Sequence, residues 1–323
     1  MSKKCKILHL QLLPILSGVQ NTMLTLLANL DPNKFDIFVA SKPDGPLVEK
    51  VKELGFTYIP VKYLRRRFSS LDFFALHQLY FIFKSHNFDI VHTHSSKTGV
   101  LGRIAAKAAK VPQIVHTVHG FPFNDAIRFP LNQIYQIIEK FAAKLTDDLI
   151  FVNSAEKRFA IKNRFVKKDN CHTIHNGLDV FENFQKSKYE ELENKTVIGF
   201  VGRFAFPKNV LTITKAAVYA CRKNNNLGFI FVGDGPDWNE CNRFVIDNKM
   251  EKNIKLVGWQ NNIKKFLSYF DALVLFSKFE GLSISILEGM AAGLPIIASN
   301  VKGNNELVDN SNGFLIDIDR IDK

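Results

Sequence analysis

The chain has 323 residues, 46% of them hydrophobic, and carries a formal net charge of +12. That length is sufficient for two domains with separate hydrophobic cores. No apolar stretch reaches the length of a spanning helix, and the basic first residues lead directly into a short strand without the apolar segment of a signal peptide, so we expect a cytoplasmic protein.

The basic surplus lies in the first half, where residues 1–180 contain 25 Lys and Arg against 14 Asp and Glu. Such a surplus suits nucleic acid, acidic ligands or an anionic membrane. Segment 62–74, KYLRRRFSSLDFF, mixes cations with aromatic residues in the manner of interfacial anchors. We expect the first domain to dock on an anionic membrane surface, with no nucleic-acid partner. The open alternative is a solvated basic loop.

Apolar runs and helix-like periodic stretches alternate along the whole chain. In the first half the predicted strands are residues 6–12, 35–40, 57–61, 89–93, 113–118 and 148–152. In the second half they are residues 196–201, 228–232, 254–257, 272–276, 295–298 and 314–316. This alternation is the βαβ pattern of parallel sheets.

The polar segment 179–195 has no regular apolar period and is interpreted as a linker. The predicted domains are therefore residues 1–178 and 196–323, each an α/β, Rossmann-like, doubly wound parallel sheet. Two such domains predict a ligand cleft between the carboxyl ends of their sheets. The four cysteines are widely scattered, which favours reduced thiols over disulfides or zinc.

Two glutamates, Glu280 and Glu288, carry the strongest functional signal. Glu280 follows a predicted strand, and a helix is predicted over residues 283–292 with Ser283 as N-cap. The free backbone N–H groups from Leu282 onward favour an anion there. Glu288 lies inside the helix, where a carboxylate is costly to bury without a polar partner such as a pair of hydroxyls. From the spacing alone, an amphipathic helix with a chance glutamate remains an alternative.

The run from Phe279 to Ser299, FEGLSISILEGMAAGLPIIAS, resembles the Glu-seven-residues-Glu signature of retaining GT-B glycosyltransferases, especially glycosyltransferase family 4. The likeness extends from the first strand to the end of the chain. It implies the GT-B fold, with the first domain binding the acceptor and the second binding a nucleotide sugar. It also implies that Glu280 contacts the donor sugar and that Glu288 holds the ribose.

Further segments of the second half carry the same resemblance. Arg203 and Lys208 follow the strand ending at Val201 and form a candidate two-cation clamp for a diphosphate. Asn209 replaces the family's usual glycine, which leaves the turn at the start of the next helix open. Gly233 and Gly258 resemble the turns at the nucleotide edge of the family's cleft.

Two candidates lie in the first half. Gly18, in the loop after the first strand, would let backbone N–H groups approach the diphosphate or the donor sugar. His119, which follows the strand 113–118, resembles the family's cleft histidine and would hydrogen-bond the donor sugar near C6. A structural histidine at a strand end is the alternative.

The residues do not predict a metal site. All nine histidines precede residue 176, and His92 and His94 lie on one face of a strand, but metal binding needs further ligands in known geometry. We favour cleft-lining or structural roles. Asp317 and Asp319 match the Asp-x-Asp metal signature of a different glycosyltransferase fold, far from the nucleotide motifs. Since the helix dipole and two cations already supply positive charge, we expect no essential metal and no cofactor.

The resemblance implies transfer of a hexose or N-acetylhexosamine, with retained configuration, from a nucleotide sugar, expected to be a UDP-sugar. The expected acceptor is a growing lipid-linked surface glycan, as in capsule, O-antigen and exopolysaccharide assembly, and the expected location is the inner face of the cell membrane. His119, Glu280, Arg203 and Lys208 are the candidate catalytic residues.

Two alternatives remain open at this stage. A nucleotide-sugar 2-epimerase also uses the GT-B fold and would change the donor without an acceptor. The chain also stops soon after the strand 314–316, whereas full family members continue through further helices, so an inactive, truncated nucleotide-sugar-binding protein is the other alternative.

Overall fold

The computed structural model of the chain describes residues 3–123, 129–179 and 181–318. It divides into two compact units, Met1–Gly177 and Leu178–Lys323. The segment 179–195 belongs to the second of these units. Phe181, Phe184 and Tyr189 from this segment pack against the core of the second unit.

The first unit is built on a parallel sheet of seven strands in the order β3-β2-β1-β4-β5-β6-β7. The strands are β1 Cys5–Leu10, β2 Phe35–Ser41, β3 Thr57–Pro60, β4 Ile90–His94, β5 Gln113–Val118, β6 Asp148–Phe151 and β7 Cys171–Thr173. The helices are α1 Gly18–Ala28, α2 Pro46–Glu53, α3 Leu71–His86, α4 Ser96–Ala108, α5 Leu131–Ala143 and α6 Ser154–Lys162.

The second unit has a parallel sheet of six strands in the order β10-β9-β8-β11-β12-β13. The strands are β8 Thr196–Val201, β9 Leu227–Val232, β10 Ile254–Gly258, β11 Ala272–Leu275, β12 Ile296–Ser299 and β13 Gly313–Ile316. The helices are α7 Val210–Lys223, α8 Trp238–Asp247, α9 Ile263–Leu267 and α10 Ile284–Ala291.

The predicted fold class, two doubly wound parallel-sheet units, is confirmed. All twelve predicted strands are present, with ends shifted by at most two residues. The additional edge strand β7 was missed because its three residues, CHT, have no apolar run. Cys5, Cys171, Cys221 and Cys241 are free thiols, and all except Cys5 are buried.

Each sheet has one place where the chain reverses its direction of growth, between β1 and β4 and between β8 and β11. Loops that leave the carboxyl ends of such a strand pair run to opposite sides, and ligands of doubly wound sheets bind in the opening between them. The register confirms the adjacency: His9 is opposite His92, and Ala272 is opposite Ile198. Within the described residues, the helices are too short or too polar to cross a membrane.

Candidate active site

The loops after β8 and β11 meet at the switch point of the second sheet. Lys208 Nζ lies 2.6 Å from Glu280 Oε1, and the hydroxyl of Ser277 donates a 2.5 Å hydrogen bond to the same oxygen. Both members of the ion pair are mostly buried. The backbone N–H of Lys278 also donates to the carbonyl of Pro207 over 2.8 Å, so the two loops are joined through main chain as well as side chains.

Helix α10 begins beside this ion pair. Ser283 is its N-cap, with its hydroxyl accepting from the backbone N–H of Ile286 at 3.4 Å. Ser283 and Leu282 are both buried. The predicted N-cap and the predicted helix are therefore present, and the N–H groups of the first turn form the amide-rich end that favours an anion.

Among the described carboxylates, Glu288 has the most strongly shifted pKa. It lies in the second turn of α10, and burial raises its pKa from 4.5 to about 7, against the opposing effect of the Lys208 charge. The structure thus brings Lys208, Glu280 and Glu288 into one site. A carboxyl group whose pKa is raised by desolvation, and which lies next to a cation, is typical of binding and catalytic sites.

The turn at the start of α7 shows that Asn209 can replace the family's usual glycine. This residue is the N-cap of α7 and adopts a left-handed backbone, with φ 54° and ψ 40°. Asn is the side chain that replaces Gly most readily in that conformation, and its Oδ1 accepts a 2.8 Å hydrogen bond from Thr212 Oγ1. The substitution therefore preserves the turn that positions Lys208. Arg203, in the same loop, is exposed and makes no ion pair with any described residue.

Gly233 and Gly258 lie at the carboxyl ends of β9 and β10. The N–H of Gly233 donates to the carbonyl of Gly258 over 2.8 Å. A Cβ at Gly233 would come within 1.9 Å of the carbonyl oxygen of Gly202, so only glycine fits there. At Gly258 space is open, and the left-handed backbone, φ 71°, is what favours glycine.

In the first unit the two candidates lie at the carboxyl ends of strands near the β1/β4 switch point. Gly18 is the exposed first residue of α1. His119 follows β5 directly, and burial lowers its pKa to about 4, so the ring is neutral at physiological pH. His119 lines a pocket of about 250 Å³. The pocket is lined by Val19, Ser95, Ser96, His116, Thr117, Val118, His119, Gly120, Phe121, Pro122 and Glu139.

Sequence reasoning missed His9, which lies beside His92 and His94 of the neighbouring strand β4. His9 of β1 is fully buried, and its Nδ1 lies 3.1 Å from Nε2 of His94. His94 Nδ1 in turn lies 3.0 Å from His119 Nε2. The alternation of β1 places His9 on the same face as His92, but that could only be known once β1 and β4 were known to be neighbours.

The ligand atoms of His9, His92 and His94 all lie within 4.8 Å of one another, a spacing compatible with a metal ion. Hydrogen bonds already engage these rings, because His92 Nε2 lies 2.7 Å from Thr117 Oγ1 and His9 bonds to His94.

The Asp-x-Asp motif is described only in part. Asp317 accepts a hydrogen bond from Asn300, and Asp319 lies outside the described residues.

The fold is that of a GT-B glycosyltransferase. The model of glycosyltransferase family 4 matches residues 16–181, and the model of the group 1 glycosyl transferases matches residues 181–323. The chain belongs to this family and is a glycosyltransferase. The resemblance stated from sequence is confirmed.

Two relatives act on diphosphoundecaprenol-linked sugars, by their names. UDP-Gal:alpha-D-GlcNAc-diphosphoundecaprenol alpha-1,3-galactosyltransferase of Escherichia coli is 40% identical over 99% of this chain and 86% of its own length. N,N'-diacetylbacillosaminyl-diphospho-undecaprenol alpha-1,3-N-acetylgalactosaminyltransferase of Campylobacter jejuni is 25% identical over 91% of this chain and 81% of its own. Among solved structures, HepE from Anabaena in complex with UDP and glucose superposes with a TM-score of 0.78 at 19% identity, covering 97% and 86% of the two chains, which supports the fold.

The raised pKa of Glu288 predicts that this residue destabilises the free protein at neutral pH. The folded state holds the Glu288 proton up to about pH 7, whereas the unfolded chain loses it near 4.5, so stability falls as pH rises between these values. Glu288→Gln should raise the melting temperature of the second unit at pH 8 by at least about 2 °C, the scale of 1 kcal/mol. Calorimetric scans at pH 4.5 and pH 8 measure this.

The matched control is Glu251→Gln, which removes an exposed carboxylate from the same unit. Its melting temperature should follow the wild type at both pH values. A Glu288→Gln protein that melts at or below the wild-type temperature at pH 8 would contradict the cost assigned to the buried carboxylate.

Proposed function

We propose that this glycosyltransferase moves a hexose or N-acetylhexosamine from a UDP-sugar to a lipid-linked glycan with retained configuration. The observation that carries the proposal is the meeting of Lys208, Glu280 and Glu288 beside the N-terminus of α10. A cation, an amide-lined anion position and two carboxylates are what a diphosphate, a ribose and a sugar require in one place.

Each group of the second unit has a role in donor binding. Arg203 and Lys208 neutralise the diphosphate, whose charge grows as the bond to the sugar breaks. Glu288, as a carboxylate, accepts hydrogen bonds from the ribose hydroxyls. Glu280 accepts from hydroxyls of the donor sugar. Lys208 already bonds Glu280 over 2.6 Å. The cation for the phosphate and the carboxylate for the sugar hydroxyls are therefore adjacent before the donor binds.

The remaining donor contacts come from backbone and from His119. Gly18, Gly233, Gly258, Leu282 and Ser283 contribute the backbone groups that line the nucleotide and the diphosphate. His119 is neutral because burial lowers its pKa to about 4. Its role is therefore a hydrogen bond to the donor sugar and not the delivery of a proton from an imidazolium ion.

Catalysis on this proposal consists mainly of positioning and charge stabilisation. The acceptor hydroxyl attacks the anomeric carbon from the face that the phosphate leaves. The departing phosphate oxygen takes the hydroxyl proton, so the retained product forms without a protein nucleophile. Because cations and helix amides supply the positive charge, we propose that no metal ion and no cofactor is needed.

Comparison with relatives supports a UDP-sugar donor and a lipid-linked acceptor. The Escherichia coli relative takes UDP-Gal and a diphosphoundecaprenol-linked sugar, by its name. UDP-galactose is therefore the first donor to test. The pocket beside His119 combines apolar side chains with hydroxyls and the Glu139 carboxylate, a lining that suits one sugar ring, and we assign the acceptor sugar to it.

An acceptor of this kind places the reaction at a membrane, and the basic segment supports docking there. Arg65, Arg66 and Arg67 are exposed. Phe68, Phe73 and Phe74 beside them are exposed by 58%, 71% and 52%. Cations attract anionic headgroups while aromatic rings enter the interface. We propose that the protein is peripheral on the inner face of the cell membrane.

A buried lysine holds this segment in shape. Lys97, at the start of α4, forms a 2.6 Å ion pair with Asp72 and donates to the carbonyls of Arg65 and Arg67. Its ammonium also lies 5.2 Å from the ring centre of Phe68. Lys97 thus bonds two loop carbonyls from within, the guanidinium of Arg65 bonds the carbonyls of Lys62 and Leu64, and the three arginines remain exposed.

The function is tested by incubating the protein with UDP-galactose and a diphospholipid-linked N-acetylglucosamine, with and without EDTA. We expect an α-linked product in both cases, followed by mass spectrometry and by NMR of the anomeric proton. UDP-glucose and UDP-N-acetylgalactosamine serve as alternative donors. A donor sugar that changes its configuration without acceptor would indicate the epimerase instead, and loss of product in EDTA would contradict the metal-free proposal.

Substitution of the two glutamates should separate nucleotide binding from turnover. Glu288→Gln should weaken UDP and UDP-sugar binding alike by about 1–3 kcal/mol, the loss of a charge-assisted hydrogen bond. Glu280→Gln should bind UDP like the wild type and lose turnover. Titration calorimetry and a transfer assay measure the two effects. Wild-type UDP affinity in both variants would contradict the assignment of Glu288 to the ribose.

Reversal of the three arginines should abolish membrane docking. At low salt, vesicles containing anionic lipid should sediment the wild type and release it as salt rises, whereas Arg65→Glu, Arg66→Glu, Arg67→Glu should stay in solution with UDP affinity intact. The control reverses three exposed lysines of the second unit, Lys215→Glu, Lys223→Glu, Lys252→Glu. An equal loss of vesicle binding in the control, or sedimentation that does not depend on salt, would indicate that segment 62–74 is a solvated basic loop.

A further inference from the structure

Three histidines of the first unit form a continuous hydrogen-bonded row that ends at His119. The row consists of His9, His94 and His119, and we call it the histidine row. His9 Nδ1 lies 3.1 Å from His94 Nε2, and His94 Nδ1 lies 3.0 Å from His119 Nε2. His94 thus uses both ring nitrogens inside the row. Among the described residues, no carboxylate and no backbone group replaces either histidine–histidine contact.

All three rings are neutral. Burial lowers the pKa of His9 to about 3 and that of His119 to about 4, and it holds the pKa of His94 well below its usual value, where the neighbouring histidines lower it further. A neutral imidazole has one N–H donor and one bare nitrogen that accepts. Each contact in the row therefore needs a donor on one side and an acceptor on the other.

This requirement links the protonation of the three rings. If His9 carries its proton on Nδ1, then His94 accepts at Nε2 and carries its own proton on Nδ1, which His119 accepts at Nε2. His119 then carries its proton on Nδ1. If His9 carries its proton on Nε2, every donor in the row reverses, and Nδ1 of His119 is bare. The ring nitrogen that carries the proton on His9 therefore determines whether Nδ1 of His119 is a hydrogen-bond donor or an acceptor.

The buried end distinguishes the two arrangements. Nε2 of His9 is buried and has no hydrogen-bond partner among the described residues. A buried N–H without an acceptor is among the rarest unsatisfied groups in proteins, whereas an unsatisfied acceptor is better tolerated. This favours a bare Nε2 on His9, hence protons on the Nδ1 atoms along the whole row.

We propose that His94 is a positioning residue that fixes the tautomer and ring plane of His119, so that His119 presents its Nδ1–H as a hydrogen-bond donor to a sugar oxygen. The inference rests on the proposed contact between His119 and the donor sugar. It assigns to His94 and His9 a role in the reaction although neither touches substrate. The donor is directional, so a hydroxyl or ring oxygen of the sugar accepts from it.

Two substitutions of His94 separate its two hydrogen bonds. The side-chain amide of Asn ends near the position of Nδ1, and that of Gln ends near the position of Nε2. His94→Asn therefore retains a donor to His119 and loses the contact with His9. His94→Gln retains the contact with His9 and loses the donor to His119. Both variants keep a polar side chain in the same buried place.

The experiment measures transfer kinetics, UDP affinity and ring protonation in the same proteins. We expect His94→Gln to lower kcat/KM for the UDP-sugar about tenfold, the scale of one hydrogen bond, with UDP affinity unchanged, since UDP has no sugar for His119 to contact. His94→Asn should keep most of the wild-type rate. Two-bond proton–nitrogen NMR correlation on protein labelled with ¹⁵N-histidine should show His119 protonated at Nδ1 in the wild type and in His94→Asn, and a mixture in His94→Gln.

His92→Gln is the control for packing. The ring of His92 stacks on His94 with 4.3 Å between centroids but lies outside the row, and Gln preserves its bond to Thr117 Oγ1. This variant should keep the wild-type rate and the wild-type tautomer of His119. A loss equal to that of His94→Gln would show that the rings act only by packing, and would overturn the inference.

Other results would overturn it as well. These are a His119 protonated at Nε2 in the wild type, equal rates for the Asn and Gln variants, or one equivalent of a transition metal bound to the purified protein through these histidines. A wild-type protein with the expected tautomers but no sugar transfer would support the histidine row and count against the proposed function, because the NMR measurement needs no substrate.

Discussion

The ion pair between Lys208 and Glu280 is the interaction on which the candidate site of the second unit depends. The two residues lie 72 positions apart in the chain and meet at 2.6 Å because β8 and β11 are parallel neighbours at the point where the sheet reverses its growth. Neither charge could be mostly buried alone at an acceptable cost in free energy, since an isolated buried ion loses its hydration. The register of the sheet supplies each with its partner and leaves the start of α10 beside them.

The two units present opposite kinds of chemistry. In the second unit the polar groups of the site are charged, and the perturbation of Glu288 comes from burial set against the charge of Lys208. In the first unit His9, His94 and His119 are neutral, so their hydrogen bonds depend on which ring nitrogen carries the proton. Charge suits a diphosphate, whereas directed neutral donors suit sugar hydroxyls.

Several features of the candidate sites in the two units cost stability in the free protein. Glu288 is buried enough to raise its pKa to about 7, Nε2 of His9 has no partner within the described part of the chain, and Ser95 at the start of α4 has a φ of 63° with ψ 148°, a conformation that side chains rarely adopt. His9 and Ser95 lie near the carboxyl ends of β1 and β4, beside the switch point of the first sheet, and Glu288 lies in the second turn of α10. Residues kept in unfavourable states at such places are typical of sites organised for a ligand in advance of binding.

The sequence by itself determined the fold class, the positions of the strands along the chain and the choice of most candidate residues. It could do so because apolar runs, helix periodicity, capping by Ser283 and the Glu280 to Glu288 spacing are local, and a local pattern needs no knowledge of distant neighbours. The sequence left the turn at Asn209 open, and only the backbone showed that Asn adopts the left-handed conformation where the family has glycine.

The tertiary structure alone decided which distant residues meet. His9 carried no signal, because nothing in the sequence indicates that β1 lies beside β4 in the register that puts His9 opposite His92. The ion pair of Lys208 with Glu280, the anchoring of the basic loop by Lys97 and the pKa of Glu288 likewise depend on strand order and burial. Hydrogen bonding and desolvation depend on distances of a few ångströms in space, and distance along the chain does not determine them.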